Sequence, residues 1–301
     1  MASAHDSAPA TSSMKNHRAL IVDSNPELNQ LIAGLFEQED WDIRIVAHNA
    51  EALELAKAQA YDLIITGEQT PGKEDLELLR RLRLVRPHTR LIILTDEFTP
   101  GDVLAAIRER AFSYFSRPFS TEKLAEMIRI AMTEPLWDDG IEVISVAPSW
   151  VRLRVRCDLA TANRLVQFYR EASGLPPAET EEVASAFREM LLNAMEHGAN
   201  FDPSQFVEVG YVRTKRMILC RVKDPGQGFS REELQSTALG NPQDDPFKHM
   251  AAREAQGKRP GGFGILMAKK LVDELIYNDK GNEVMLVKYL GKAATSLMQP
   301  E

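Results

Sequence analysis

Between Ala19 and Met132 the chain alternates five times between a short apolar run and an amphipathic segment. The runs are ALIVD (19–23), DIRIVA (42–47), DLIIT (62–66), LIILT (91–95) and FSYFS (112–116). Each is followed by residues with apolar positions at helical spacing, the first of them SNPELNQLIAGLFEQ, with Ser24 as its expected N-cap. Continuous apolar runs suit strands buried on both faces, and parallel neighbours need a helical crossover between them. Five such units predict an α/β, doubly wound parallel sheet whose functional residues sit at the carboxyl ends of the strands.

The residues at those ends, IVDSNPE, YDLIITGEQTPG, LIILT and SRPF, resemble a response-regulator receiver domain of flavodoxin-like fold, over residues 17–134. The resemblance implies an acid pair after the first strand, a phosphoacceptor Asp ending the third, Thr or Ser ending the fourth, and Lys before Pro after the fifth. Asp23 and Thr95 keep the pattern, whereas Ser24 replaces the second acid, Gly67 the phosphoacceptor and Arg117 the lysine. Glycine has no oxygen to phosphorylate, and Mg²⁺ needs several oxygen ligands. The expectation is a receiver that is not phosphorylated and acts as a docking or dimerisation module, through its fourth helix, fifth strand and fifth helix.

TEPLWDDGIEVISVAPSW (133–150) is punctuated by Pro135 and Gly140, so 135–148 reads as a linker. It has no histidine and is too short for the two-helix dimerisation segment of a histidine kinase. The second half then reads strand (WVRLRVRC), helix ended by Gly174, helix over Glu179–His197, two alternating strands, a polar stretch, a glycine-opened helix and a terminal hairpin. On the second of these helices Glu189, Asn193 and His197 recur every four residues, which puts a carboxylate, an amide and an imidazole on one face. Alone, that stripe could be the wet side of an amphipathic helix. It is followed, however, by DPGQGF (224–229) at a strand end and PGGFG (260–264) at a helix start.

ExxxNAxxHG, DxGxG and GxG, in that order and on those elements, resemble the ATP-binding fold shared by histidine kinases, gyrase-type ATPases and anti-sigma-factor serine kinases, the GHKL group. The resemblance covers about residues 149–290 and implies a two-layer α/β sandwich. It makes Asn193 the magnesium ligand of a bound Mg²⁺–ATP, Glu189 the general base that orients a serine hydroxyl or a water, and Asp224 the acceptor for the adenine amino group. Gly226 and Gly228 let the backbone approach the nucleotide, and Gly262 and Gly264 cradle phosphates at a helix N-terminus. His197 either orients its neighbours or ends the helix. Residues 229–260 are the expected lid, with Lys258 and Arg259 as candidate phosphate contacts or a solvated pair. Where relatives back the adenine-binding Asp with Thr or Ser, this chain has Asn282 and Glu283.

The domain organisation expected is therefore a disordered tail (1–16), a degenerate receiver (17–134), a linker (135–148), a histidine-kinase-like ATPase domain (149–293) and a short tail (294–301). The compact second domain most resembles the anti-sigma-factor serine kinases. That resemblance implies an ATP-dependent serine kinase whose protein partners are a sigma factor, an antagonist carrying the target serine, or both. A non-catalytic ATP-gated clamp on such a partner, or a histidine-kinase-like subunit serving a separate phosphotransfer protein, remain as alternatives, and a homodimer stays open. The net charge of −8 argues against nucleic acid as a partner. Two cysteines without a CxxC, Cys157 and Cys220, read as buried thiols of a reducing compartment. The N-terminus lacks a signal-peptide apolar region, and no apolar run approaches the roughly 20 residues of a membrane span, so a cytoplasmic protein is expected.

Overall fold

The computed structural model describes residues 17–36, 41–67, 72–97, 99–133, 140–228 and 263–291. The expected tails, and Gly262, Lys258, Arg259 and the lid segment, lie outside the described residues.

In the first domain β1 (His17–Val22), β2 (Trp41–Val46), β3 (Leu63–Thr66), β4 (Arg90–Thr95) and β5 (Ser113–Ser116) form a parallel sheet of order β2-β1-β3-β4-β5. The strand period of two sorts the side chains. Leu20, Val22, Ile64, Leu91 and Ile93 pack under α2 (Asn49–Ala58), α3 (Gly72–Val85) and α4 (Pro100–Arg108). Ala19, Ile21, Leu63, Ile65, Ile92 and Leu94 pack on the opposite face, under α1 (Pro26–Gly34) and α5 (Thr121–Thr133). This is the doubly wound receiver fold expected from the runs. One detail changes: Asn25, not Ser24, caps α1, its Oδ1 accepting from the amides of Glu27 at 3.0 Å and Leu28 at 3.5 Å.

The second domain is an antiparallel sheet of order β10-β11-β9-β8-β7-β6 covered on one face by helices. Its elements are β6 (Ile141–Ala147), β7 (Trp150–Arg156), α6 (Leu159–Ser173), α7 (Pro177–Ala199), β8 (Phe206–Arg213), β9 (Met217–Lys223), α8 (Gly264–Leu271), β10 (Glu274–Tyr277) and β11 (Glu283–Tyr289). The linker expected over 135–148 is therefore too long, because residues 141–147 are the edge strand β6, paired with β7 across a register shift between Val143 and Ser145. Gly174 ends α6 in the left-handed conformation, φ 58°, as its position predicts.

The two domains share one apolar core. Leu104 and Ile107 of α4 belong to the same buried cluster as Val151, Leu153 and Leu165 of the second domain. Helix α6 lies against α4 and β5, so much of the receiver face expected to dock a partner or a second copy is occupied by this chain's own second domain.

Candidate nucleotide site

Helix α7 is two-faced. Phe187, Met190, Leu191, Ala194 and Met195 are buried, while Glu189 and Asn193 are half-buried and His197 is exposed. The four-residue stripe thus opens onto a border of the core rather than into it. Three other elements meet that border: the residues after β9, the start of α8, and the β10–β11 hairpin.

Asp224 follows β9 and closes one end. Its Oδ1 accepts the Gly226 amide at 2.8 Å, and its own amide donates to the Asn282 carbonyl at 3.0 Å. Burial pushes the Asp224 carboxyl above its ordinary range; the Gly226 amide and the nearby ammonium of Lys280 oppose that rise. Asn282 is buried and donates from Nδ2 to the Asp224 carbonyl at 3.3 Å, while its Oδ1 accepts from Asn278 at 2.9 Å. Glu283 turns the other way and clasps Arg221 with two hydrogen bonds of 2.7 Å. Asn282 thus stands behind Asp224, but it fixes the main chain rather than the carboxylate.

The glycines have a more specific reason than room for a nucleotide. A Cβ on Gly226 would stand 2.9 Å from the Cα of Gly198, and one on Gly198 would stand 2.3 Å from the Cβ of Asp224. The loop after β9 therefore lies directly on the last turn of α7. Gly228 adopts φ 79°, and a Cβ there would meet the Lys280 carbonyl oxygen at 1.9 Å. At the other end a Cβ on Gly264 would stand 1.8 Å from Glu189 Oε1. The start of α8 is thus seated on the Glu189 carboxylate. Gly198 belongs to the quoted histidine–glycine motif, yet its contact with Asp224 could not be read from spacing.

Tyr277, on β10, is a site neighbour that the sequence reading missed. Its hydroxyl approaches the Met190 sulfur at 3.3 Å. Burial, with the negative charges of Asp224 and Glu189, holds its phenol well above the usual range. No motif marks it; only the pairing of Tyr277 with Val284 in the terminal hairpin brings it to the border.

For a magnesium ion the donor set is partial. Among the described residues no group of three His, Cys, Asp or Glu side chains could hold a metal. Asn193 can offer one amide oxygen, so a bound Mg²⁺ would take its remaining oxygens from phosphates and water, the usual manner for this ion.

The receiver pocket is remade. Asp23 is buried, its Oδ1 accepts the Asn25 amide at 2.5 Å, and a Cβ on Gly67 would fall 1.7 Å from Asp23 Oδ2. The space beside Gly67 is thus filled by the Asp23 carboxylate. Thr95 is buried at the end of β4, its hydroxyl bonding to the Glu97 carbonyl at 2.9 Å. Arg117 lies 3.7 Å from Asp96.

Residues 152–288 match the family model of the histidine kinase-like ATPase domain, and residues 19–129 that of the response regulator receiver domain. Among curated proteins the chain is similar to the uncharacterized transcriptional regulatory protein YkoG of Bacillus subtilis, 29% identical over 40% of this chain and 53% of that protein. It is also similar to the transcriptional regulatory protein TrcR of Mycobacterium tuberculosis, 29% identical over 37% of this chain and 44% of that one. Sporulation initiation phosphotransferase F of Bacillus subtilis is 25% identical over 38% of this chain and 94% of its own length. The chain spans about half the length of the first two of these curated relatives. A solved receiver domain protein from Methanospirillum hungatei JF-1 superposes with a TM-score of 0.35 at 24% identity, over 38% of this chain and 91% of its own. The chain thus carries a stretch that matches the receiver domain followed by one that matches the histidine kinase-like ATPase domain. No helix among the described residues is long and apolar enough to cross a membrane.

Proposed function

We propose that this chain is an ATP-dependent protein serine kinase of the anti-sigma-factor type, a partner-switching regulator that transfers the ATP γ-phosphate to a serine of an antagonist protein. The observation that carries the proposal is the seating of Gly264, at the start of α8, on the carboxylate of Glu189 in α7, with Asp224 held against the last turn of α7 by Gly198 and Gly226. A nucleotide with its adenine on Asp224 and its phosphates toward α8 would run along the α7 stripe. Its γ-phosphate would then lie near Glu189.

In that pose Asp224 accepts the adenine amino hydrogens, and Asn282 keeps the Asp224 backbone in place. Glu189 accepts the proton of the incoming serine hydroxyl and aligns its oxygen with the phosphorus, a general-base contribution of about 10²–10⁴ in rate. Asn193 would hold a Mg²⁺ ion through its amide oxygen, and the ion would supply charge to neutralise the phosphates. The phosphate placed on the antagonist adds charge at its interface and weakens its binding. The receiver takes no part in phosphoryl transfer, because Gly67 offers no acceptor and Asp23 fills the space beside it. We assign the chain to the cytoplasm, with protein partners and neither nucleic acid nor membrane among them.

The test captures partners from lysate of the source cells on the purified chain with Mg²⁺ and ATP, and maps phosphosites on them. One acid-stable phosphoserine on a small captured protein, absent with Asp224→Asn and with Glu189→Ala, is expected. ATP-dependent capture without phosphorylation, retained in Glu189→Ala, would refute transfer and leave a clamp. Acid-labile phosphate on the target would instead point to histidine chemistry.

A further inference from the structure

Strand β5 ends the receiver sheet, so among the described residues one side of its backbone has no strand to pair with. Such edges are normally protected. Here the protection comes from side chains of α6 at intervals of three and four residues. Arg164 Nε donates to the Phe112 carbonyl at 3.2 Å, and its guanidinium lies 4.0 Å over the Phe112 ring. Gln167 Nε2 donates to the Tyr114 carbonyl at 3.0 Å. Glu171 Oε2 accepts from the Ser116 amide at 3.2 Å and the Ser116 hydroxyl at 2.5 Å. The seven steps from residue 164 to 171 rise about 10 Å along a helix, and the four from 112 to 116 about 13 Å along a strand. The two rows therefore run side by side over similar lengths, and long side chains take up the difference. Arg164 and Gln167 are each 3% exposed, which ordinary surface contacts would not require.

The opposite side of α6 packs on α7, the helix that carries Glu189 and Asn193. Tyr169 stacks on Phe187 of α7, ring centroids 4.5 Å apart, and both rings are buried. Phe187 precedes Glu189 by two residues on that helix. Near the start of α7, Thr180 Oγ1 donates to the Leu175 carbonyl at 3.0 Å and lies 3.2 Å from Ser173 Oγ, while Arg170 pairs with Glu181 at 3.2 Å.

We propose that α6 is a transmission element, holding the open edge of the receiver sheet on one side and the helix bearing Glu189 and Asn193 on the other, so that a change at the β5 edge is felt at the nucleotide site. The receiver then acts through backbone contacts of an edge strand, without needing an acceptor aspartate. The inference deepens the kinase reading and rests on it for its purpose, but its test does not.

The test is amide hydrogen exchange on the full chain without nucleotide, comparing wild type, Ser116→Ala and Gln167→Ala/Glu171→Ala. None of these residues lies in the nucleotide site. The double variant is expected to speed exchange at least tenfold in β5 and in residues 187–193 of α7, with β8 and β9 unchanged. Ser116→Ala should give the same pattern with smaller amplitude. Loosening of β5 with α7 unchanged would make α6 a static bracket and overturn the proposal. Equal loosening of β8 and β9 would overturn it too, because the effect would then be loss of the domain. A wild-type chain that failed to bind ATP would sink the kinase reading and leave this result standing.

Discussion

The packing of Asp23 against Gly67 makes a prediction that runs against intuition: restoring the missing aspartate should damage the receiver. Gly67→Ala is the cleaner first step. Its Cβ would sit 1.7 Å from Asp23 Oδ2 and 2.2 Å from Cγ, so Asp23 must leave its place. Asp23 is 2% exposed and its Oδ1 holds the Asn25 amide at the cap of α1. Overpacking costs about 1–3 kcal/mol, and losing a hydrogen bond to a charged group about 1.5–3 kcal/mol. A partial share of each gives a destabilisation of about 3 kcal/mol. Gly67→Asp adds a second carboxylate, and two unit charges 4 Å apart at an effective dielectric of 20 repel by about 4 kcal/mol unless a proton or cation intervenes. Native-state hydrogen exchange of the β1 and β3 amides reads the opening free energy of this domain separately from the other. Both variants should lower it, Gly67→Asp more, and millimolar Mg²⁺ should restore part of the loss in Gly67→Asp alone. A Gly67→Ala variant within about 0.5 kcal/mol of wild type would refute the reasoning, since surface-like tolerance means that Asp23 does not fill the space.

Acetyl phosphate should leave no acyl-phosphate on the wild-type receiver half, as mass spectrometry of the intact chain would show. Gly228→Ala forces a side chain into φ 79° and against the Lys280 carbonyl, and should cost about 2–4 kcal/mol in the second domain while weakening binding of a fluorescent ATP analogue. Glu189→Gln keeps the side chain's shape and should retain nucleotide binding while lowering phosphotransfer about 10²–10⁴-fold; an equal loss of binding would place Glu189 in recognition instead. Burial raises the Glu171 carboxyl from 4.5 to about 7 against the hydrogen bonds of Ser116 and Gln167, whereas the unfolded chain ionises at the ordinary value. Its protonated form therefore contributes stability that is complete below the lower value and lost as pH climbs through the higher one, about 3 kcal/mol at most. Urea midpoints between pH 4.5 and 8 should show that loss in wild type and not in Glu171→Gln.

The alternation of apolar runs and helical segments made the receiver legible, because strands buried on both faces leave continuous runs such as LIILT that few other elements produce. Strand β6 was hidden for the opposite reason. It is a bulged edge strand of mixed exposure entered through a glycine turn, so its residues carry the marks of a linker. The cap of α1 moved by one residue because Ser24 and Asn25 have equal claims until the backbone chooses. Arg164 and Gln167 look like the wet side of α6 in any periodicity count, and only the neighbouring β5 edge turns them into buried contacts. The glycines separate the two kinds of information most sharply. Their order along the chain pointed to the candidate nucleotide site, yet the contacts that exclude a Cβ are to Gly198, Lys280 and Glu189, residues of the protein itself. A glycine pressed between two protein segments joins those segments at close range. The motif is thus also an assembly code for α7, the turn after β9 and the start of α8, and a substitution there should disturb the mutual placement of Glu189 and Asp224 before any ligand arrives.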